Sequence, residues 1–417
     1  MRILIIGAGM AGLAAAHALK NTSHEVILLE GRHRIGGRVH SDRTFVEHQM
    51  ELGAEFLHGE RIPLWKFVQK LNLRTIHWRK TDDSLVRLEN GDLLTMQEAR
   101  AKHPDFDVTR SWDLPPTPFK EGDESLADYL RRLGFTEAQL QYTRRSFANA
   151  QCEAPEVLSA QDCLHHFMGG EMGEEDHRIL DGYSRITEHL AEGLDIRLNH
   201  AVGYIEWSEQ GVRVMTLDSQ WFSADYAVIT LPVGVLQRGT VRFWPELPPS
   251  KKEALSKLTM APALKLMFRF EESPVPAGIG AFYSAKNPPM WWSPTVGHGV
   301  EGVYMWTALA TGPWARELLA QGEAGALQMA LENLRAEVGK PDLTPTHTRL
   351  VNWGDDPFTL GGYSAVKVGG EGAREALAKR CGRLLWAGEA TASGEHSATV
   401  HGAYMSGTRA AAELIAL

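Results

Sequence analysis

The feature that most restricts the fold lies in the first thirty residues. An apolar run, Arg2-Ile3-Leu4-Ile5-Ile6, leads at once into three spaced glycines, Gly7, Gly9 and Gly12. Met10 to Lys20 is rich in alanine and leucine and predicts a helix; a second apolar run, Val26 to Leu29, ends on Glu30. Buried strand, tight turn, helix and second buried strand form the opening unit of an α/β fold with a parallel sheet. Gly7 serves the turn, Gly9 lets a pyrophosphate approach the backbone, and Gly12 lets helix and strand pack closely. The helix N-terminus would point N–H groups and a partial positive charge at phosphates. Glu30 would accept hydrogen bonds from a ribose. The unit predicts a bound adenine dinucleotide.

Arg34, Gly36, Gly37 and Arg38 follow directly. A glycine pair followed by arginine offers a second backbone approach and a fixed cation for a diphosphate, more than a nicotinamide coenzyme needs here. On these residues the chain resembles the flavin-containing amine oxidases, whose FAD sits on the paired motif. The resemblance extends over nearly the whole chain and is strongest in Ala387-Gly388-Glu389-Ala390-Thr391, Val400-His401-Gly402-Ala403 and Ser406-Gly407. It implies FAD with Glu389 on its ribityl or diphosphate side. The helix opening near His401 would aim its positive end at the flavin pyrimidine ring, where negative charge gathers on reduction, with Thr399 and Val400 among the expected cofactor contacts. Val202, at the head of a predicted strand, joins the expected cofactor contacts. Gly362 stands where monoamine oxidases carry the cysteine that bonds the flavin, so attachment is expected to be non-covalent.

A second family-like stretch is Glu51-Leu52-Gly53-Ala54-Glu55-Phe56-Leu57-His58-Gly59. Gly53 and Ala54 are small enough for close contact with a flavin edge, and Glu55 offers a carboxylate that would meet a cationic amine. The resemblance places His58 on the substrate tunnel. Lys265 interrupts the apolar run Ala263 to Phe268, where a buried ammonium is costly without a partner. In the family, a lysine at this place holds a water against flavin N5. The other reading of Lys265 is the solvent face of a half-exposed strand. Trp353 and Tyr363 match the indole beside the flavin and one aromatic wall of the cage around the substrate nitrogen. Thr399 replaces the second cage tyrosine, as in spermine oxidase and the lysine-specific histone demethylase.

The 417 residues suggest two domains sharing a large core. A balance of 52 acids to 43 bases, net −9, argues against a nucleic-acid surface and favours attraction of cationic substrates. Cys152, Cys163 and Cys381 are few, odd in number and lack metal-ligand spacing, which predicts a reduced, cytoplasmic setting and no metal site. No run of eighteen apolar residues predicts a membrane span, and the early apolar run is explained by the nucleotide unit rather than by a signal peptide. The family's membrane-anchoring tail is expected to be absent.

The pattern between about 76 and 189 predicts mostly helix, including Ser125 to Leu133, Glu137 to Ala148 and Asp181 to Leu194. A strand meander follows at Ala201 to Trp207, Gly211 to Leu217 and Ala227 to Leu231, and Leu264 to Phe270 alternates as a half-buried strand would. Proline-rich stretches at 114–118, 273–276 and 287–289 predict loops. The expected fold is a discontinuous Rossmann-like FAD-binding domain (1–75, 190–245 and 375–417) with an inserted α+β substrate-binding domain (76–189 and 246–374). The resemblance implies oxidation of a small-molecule amine, foremost a polyamine, by hydride transfer to flavin N5. Imine hydrolysis would give an aldehyde, and reoxidation by O2 would give hydrogen peroxide. L-Amino-acid oxidation, aromatic monoamine oxidation and a non-amine flavin desaturation are the alternatives.

Overall fold

The structure, a computed structural model, describes residues 1–417 except 79–83, 89, 104–121, 169 and 174, so the proline-rich stretch 114–118 lies outside the described residues. The opening unit folds as Arg2–Ile6, the helix Met10–Leu19 and Glu25–Leu29. These strands join Asp195–Arg197, Tyr226–Ile229 and Leu384–Trp386 in a parallel five-stranded sheet, with Arg2–Ile6 central. Parallel strands covered on both faces read as continuous apolar runs. Ile3 and Ile5 pack on one side with Leu13, Leu28, Val228 and Leu385, and Leu4 and Ile6 on the other with Leu29, Ala227, Ile229 and Trp386.

The helix Val400–Ile415 lies against Met10–Leu19, and Gly407 makes this possible. A Cβ there would stand 2.1 Å from the carbonyl oxygen of Ala11. Gly12 acts in the same way toward the first strand, where a Cβ would meet Gly7 O at 1.9 Å.

The expected meander divides between two sheets. Val202–Ser208 and Gly211–Thr216 pair antiparallel, but their third strand is Trp221–Ala224. Tyr226–Ile229 leaves them for the parallel sheet because all four of its residues are buried, which an outlying strand could not provide.

A seven-stranded sheet runs in the order His347–Asn352, Ala263–Phe270, Tyr304–Thr311, Met290–Trp292, Ala281–Tyr283, Ser84–Arg87, Leu93–Thr95. Ala263–Phe270 is an interior strand, paired on both sides, rather than half-exposed, and seven of its eight residues are buried. Leu264, Leu266, Phe268 and Phe270 face a core completed by helices Gly312–Leu319 and Gly322–Val338, so Lys265 is left on the opposite face.

The stretch 76–189 departs from the helical expectation at Ser84–Arg87, Leu93–Thr95 and Asp176–Ile179, all strands. The last pairs with both Phe56–His58 and Thr75–Trp78. Helices do form at Leu126–Arg132, Glu137–Thr143 and Ser184–Ala191. Ser125 and Thr136 begin the first two by accepting from Asp128 N and Gln139 N, and Arg144–Ala148 continues the second as a π-helix.

Candidate active site

One cavity of about 1220 Å³ runs from the carboxyl end of the parallel sheet to the face of the seven-stranded sheet that carries Lys265. At its first end the turn Gly7-Ala8-Gly9 and the pair Gly36-Gly37 lie side by side. Gly9 bridges to Gly36, and a Cβ on Gly37 would come 3.3 Å from Gly9 Cα. No side chain caps the helix that begins after Gly9, so its first N–H groups open on the cavity. Glu30 is buried and accepts from Ala8 N and Arg32 N, both at 2.8 Å. These bonds turn its carboxylate into the cavity mouth beside Val202.

One residue expected among the cofactor contacts at this end, Arg34, points elsewhere. Arg34 does not line the cavity. It turns back to donate to Ile35 O at 3.0 Å and Gly37 O at 2.9 Å, bracing the glycine loop from behind. Arg32 is the cation that lines it, fixed to Asp356 at 2.6 Å and to Thr359 Oγ1 at 2.8 Å. Gly12 stays outside the lining and does the close packing read for it from the sequence.

Farther in, Arg38 donates to Gly362 O at 2.8 Å and to Glu389 at 2.9 Å. Glu389 also accepts from Ser364 Oγ at 2.6 Å, and Arg374 braces that hydroxyl at 2.7 Å. Burial alone would raise the Glu389 carboxyl, but Arg38 and Arg374 hold it below the usual carboxylate range. Ser364 and Arg374 were not read from the sequence, since nothing local ties them to a glutamate twenty-five and fifteen residues away. Gly388 beside it has φ +132°, a backbone open to glycine.

Gly53 passes beneath Trp353. A Cβ on it would strike Arg38 O at 1.8 Å and the indole at 3.1 Å. Trp353 donates to Leu52 O at 3.0 Å, which fixes the ring plane. Tyr363 lines the cavity with its ring while its hydroxyl donates to Ala150 O at 2.7 Å. Thr399 lines the cavity too, but its hydroxyl is committed as the helix cap. It accepts from Gly402 N at 2.9 Å and donates to His396 O at 2.8 Å. The N-terminus of Val400–Ile415 thus faces the cavity at Thr399, Val400 and Ala403.

Lys265 is buried, with its ammonium donating to Glu51 O and Glu55 Oε2, both at 2.8 Å. The solvent-facing reading of Lys265 is thereby excluded. Glu55 is not an open carboxylate awaiting an amine, as the sequence suggested. Besides Lys265 it receives Trp292 Nε1 at 3.0 Å and faces Arg178 at 3.5 Å. Burial would raise its carboxyl, yet Lys265 and Arg178 hold it low. His58 is bonded to Asp176 at 3.0 Å, and both line the cavity. Tyr283, Trp291 and Trp292 reach the lining, whereas Trp306 is fully buried in the core. Phe56, Trp78 and Tyr142 add to the wall.

A glycine cradle at a helix start, a buried acid beside it and a long cavity ending at a buried cation and aromatic rings are the features expected of a flavin-binding amine oxidoreductase. A model of the flavin-containing amine oxidoreductase family matches residues 10–415, and the chain belongs to that family. Its cofactor is FAD. Polyamine oxidase 4 of Oryza sativa subsp. japonica is 30% identical, over 99% of this chain and 88% of its own length. Lysine-specific histone demethylase 2 of Homo sapiens is 30% identical over 99% of this chain, which spans 53% of that protein. The structure of wild-type putrescine oxidase bound to putrescine matches with a TM-score of 0.82 at 19% identity, covering 100% of both chains. That last likeness is one of fold.

Proposed function

We propose that the chain oxidises a small amine, with a polyamine the foremost substrate, and passes the electrons to O2 with release of hydrogen peroxide. The observation that carries this reading is the single cavity joining the glycine cradle to Lys265 and the aromatic wall. In this reading 1–75, 190–245 and 375–417 hold FAD and the remainder shapes the substrate chamber. Gly7, Gly9, Gly36, Gly37 and the helix N-terminus after Gly9 take the diphosphate, Glu30 the ribose, and Arg38 with Glu389 the ribityl side. Gly362 offers no side chain for a covalent link. When bound, FAD supplies the two-electron acceptor for the carbon–hydrogen bond beside the amine nitrogen.

The residues around the reacting carbon position and exclude water. Tyr363, Trp353 and Trp292 present electron-rich faces to an amine. Lys265 has three N–H donors, of which two are bonded to Glu51 and Glu55, leaving the third for a water or oxygen in the chamber. His58 with Asp176 supplies a polar wall, at which the far end of a long amine would rest. A cytoplasmic setting is part of the proposal and rests on three cysteines that are all unpaired thiols.

A second reading has one observation behind it. Arg100 is a cation in the cavity lining, which bears on an amine that carries a carboxylate. Peroxide release from the yellow protein, measured with spermine, spermidine, putrescine, aromatic monoamines and amino acids, separates the two. Preference for amino acids would replace the polyamine reading. Intact FAD with no turnover of any amine would end both.

A further inference from the structure

Lys265 sits in a buried cluster to which four separate segments contribute. Its ammonium meets Glu55, from the segment before Phe56–His58, while Trp292 comes from Met290–Trp292 and Arg178 from Asp176–Ile179. Side-chain exposure is 7% for Lys265, 5% for Glu55 and 4% for Arg178, so water contributes little to any of the three charges. Arg178 is held by Pro294 O at 3.0 Å and Val296 O at 2.6 Å, with its guanidinium over the Trp78 ring. The strand partners of Lys265 are Leu309 and Val351, both apolar. The titratable groups around the ammonium are Glu55, Glu51, which offers it a backbone oxygen, and Arg178 behind Glu55.

We propose that Glu55, anchored by Arg178 and Trp292, is the positioning residue that keeps Lys265 a charged, oriented donor, so that Lys265 acts on the flavin site as a cation and not as a base. A buried ammonium without a counter-charge sheds its proton. Glu55 supplies that counter-charge at 2.8 Å. The carboxylate is in turn kept ionised by two cations, and both of its oxygens have fixed donors, Lys265 on Oε2 and Trp292 on Oε1. Arg178 prevents the lysine–glutamate pair from neutralising by transfer of one proton, because it stabilises only the charged carboxylate. Glu55 and Arg178 act through Lys265 and need not touch substrate.

The inference rests on the placement of FAD beside Lys265, and the experiment tests the two separately. Sulfite bleaches the visible band of a bound flavin most readily where a positive charge adjoins it, so its dissociation constant reads that charge without turnover. Read as the ratio of a variant's constant to that of the unaltered holoenzyme, which cancels the titration of sulfite itself and of Glu51, the profile from about pH 6 to 9 is flat wherever the charge of the side chain at position 265 does not change with pH. Lys265→Met should weaken sulfite at least about tenfold at every pH. Glu55→Gln keeps shape and hydrogen bonds but removes the counter-charge. It should give tight binding at low pH that is lost across this range, and the double variant Glu55→Gln with Lys265→Met should abolish the break. Glu55→Asp should restore the flat profile. If Glu55→Gln yields too little folded protein, Arg178→Met is measured instead and should give a weaker form of the same break, relieved by Arg178→Lys. Indifference of sulfite to Lys265→Met would overturn the flavin placement. Sensitivity to Lys265→Met with a flat Glu55→Gln profile, or a flat Arg178→Met profile in its stead, would overturn the role given to Glu55.

Discussion

At the scale of single residues, the site is built on places where no side chain fits. Gly53 is the sharpest of them, since a methyl group would overlap a main-chain oxygen at 1.8 Å and press the Trp353 ring. The oxygen belongs to Arg38, whose side chain holds Glu389, so relief by backbone movement would reach the pair proposed to hold the cofactor. Gly53→Ala is expected to cost about 3 kcal/mol, the upper range of overpacking, and to be purified with much less FAD. The ratio of flavin to protein absorbance and the melting temperature check it, and full flavin content at wild-type stability would refute the packing argument. At this scale the sequence was informative where chemistry and motif coincide. Lys265 stood out because a charge interrupts an apolar run, and its burial followed. Glu55 was misread because its three partners lie at 178, 265 and 292, and no local pattern links them. Arg34 was expected among the cofactor contacts, and Arg32 was not, for a similar reason. Which of two nearby arginines faces a ligand depends on Asp356 and Thr359, more than three hundred residues on.

At the scale of elements, legibility followed burial. Arg2–Ile6, Glu25–Leu29 and Leu384–Trp386 are apolar runs because helices or other strands cover both faces. Asp176–Ile179 was missed because Asp176 and Arg178 face functional partners, which replaces the apolar alternation of a strand with charges. The closing helix was expected, but the duty of Thr399 within it was not. Thr399 was read as a substitute for an aromatic wall, whereas the structure uses its hydroxyl to start Val400–Ile415 at the cavity. Capping satisfies an N–H that would otherwise go unpaired and holds the positive helix end in place. Thr399→Ala should therefore lower stability by about 1 kcal/mol, and Thr399→Ser should recover nearly all of it. Thermal melts of the three proteins decide the matter. A serine variant as unstable as the alanine variant would mean that the methyl group, not the cap, is what the fold needs.

At the scale of the whole molecule, buried titratable groups of opposite tendency shape stability as a function of pH. His40 and His298 are pushed down to about 4 from an ordinary 6.5, mainly by burial, so the folded chain resists charging them. Their contribution is present above pH 6.5 and is lost as pH falls toward 4. Glu51 tends the other way. It is buried with Ser41 Oγ and Tyr183 N as donors, and burial lifts its carboxyl to about 7 from an ordinary 4.5. A raised carboxyl binds its proton more tightly in the folded state. Its contribution is therefore full below pH 4.5 and declines as pH rises, being lost once pH passes about 7. Glutamine at this position stays neutral and can still accept from Tyr183 N. Glu51→Gln should match the wild type near pH 4.5 and exceed it increasingly toward pH 7. The gain should level off above that at no more than about 3 kcal/mol, the linkage value of such a shift. Denaturant unfolding of both proteins at several pH values measures the difference directly. A constant offset at all pH values would show that Glu51 is not protonated in the fold. A loss that grows with pH would show that its ionised form is instead stabilised by Lys265, the nearest cation above it.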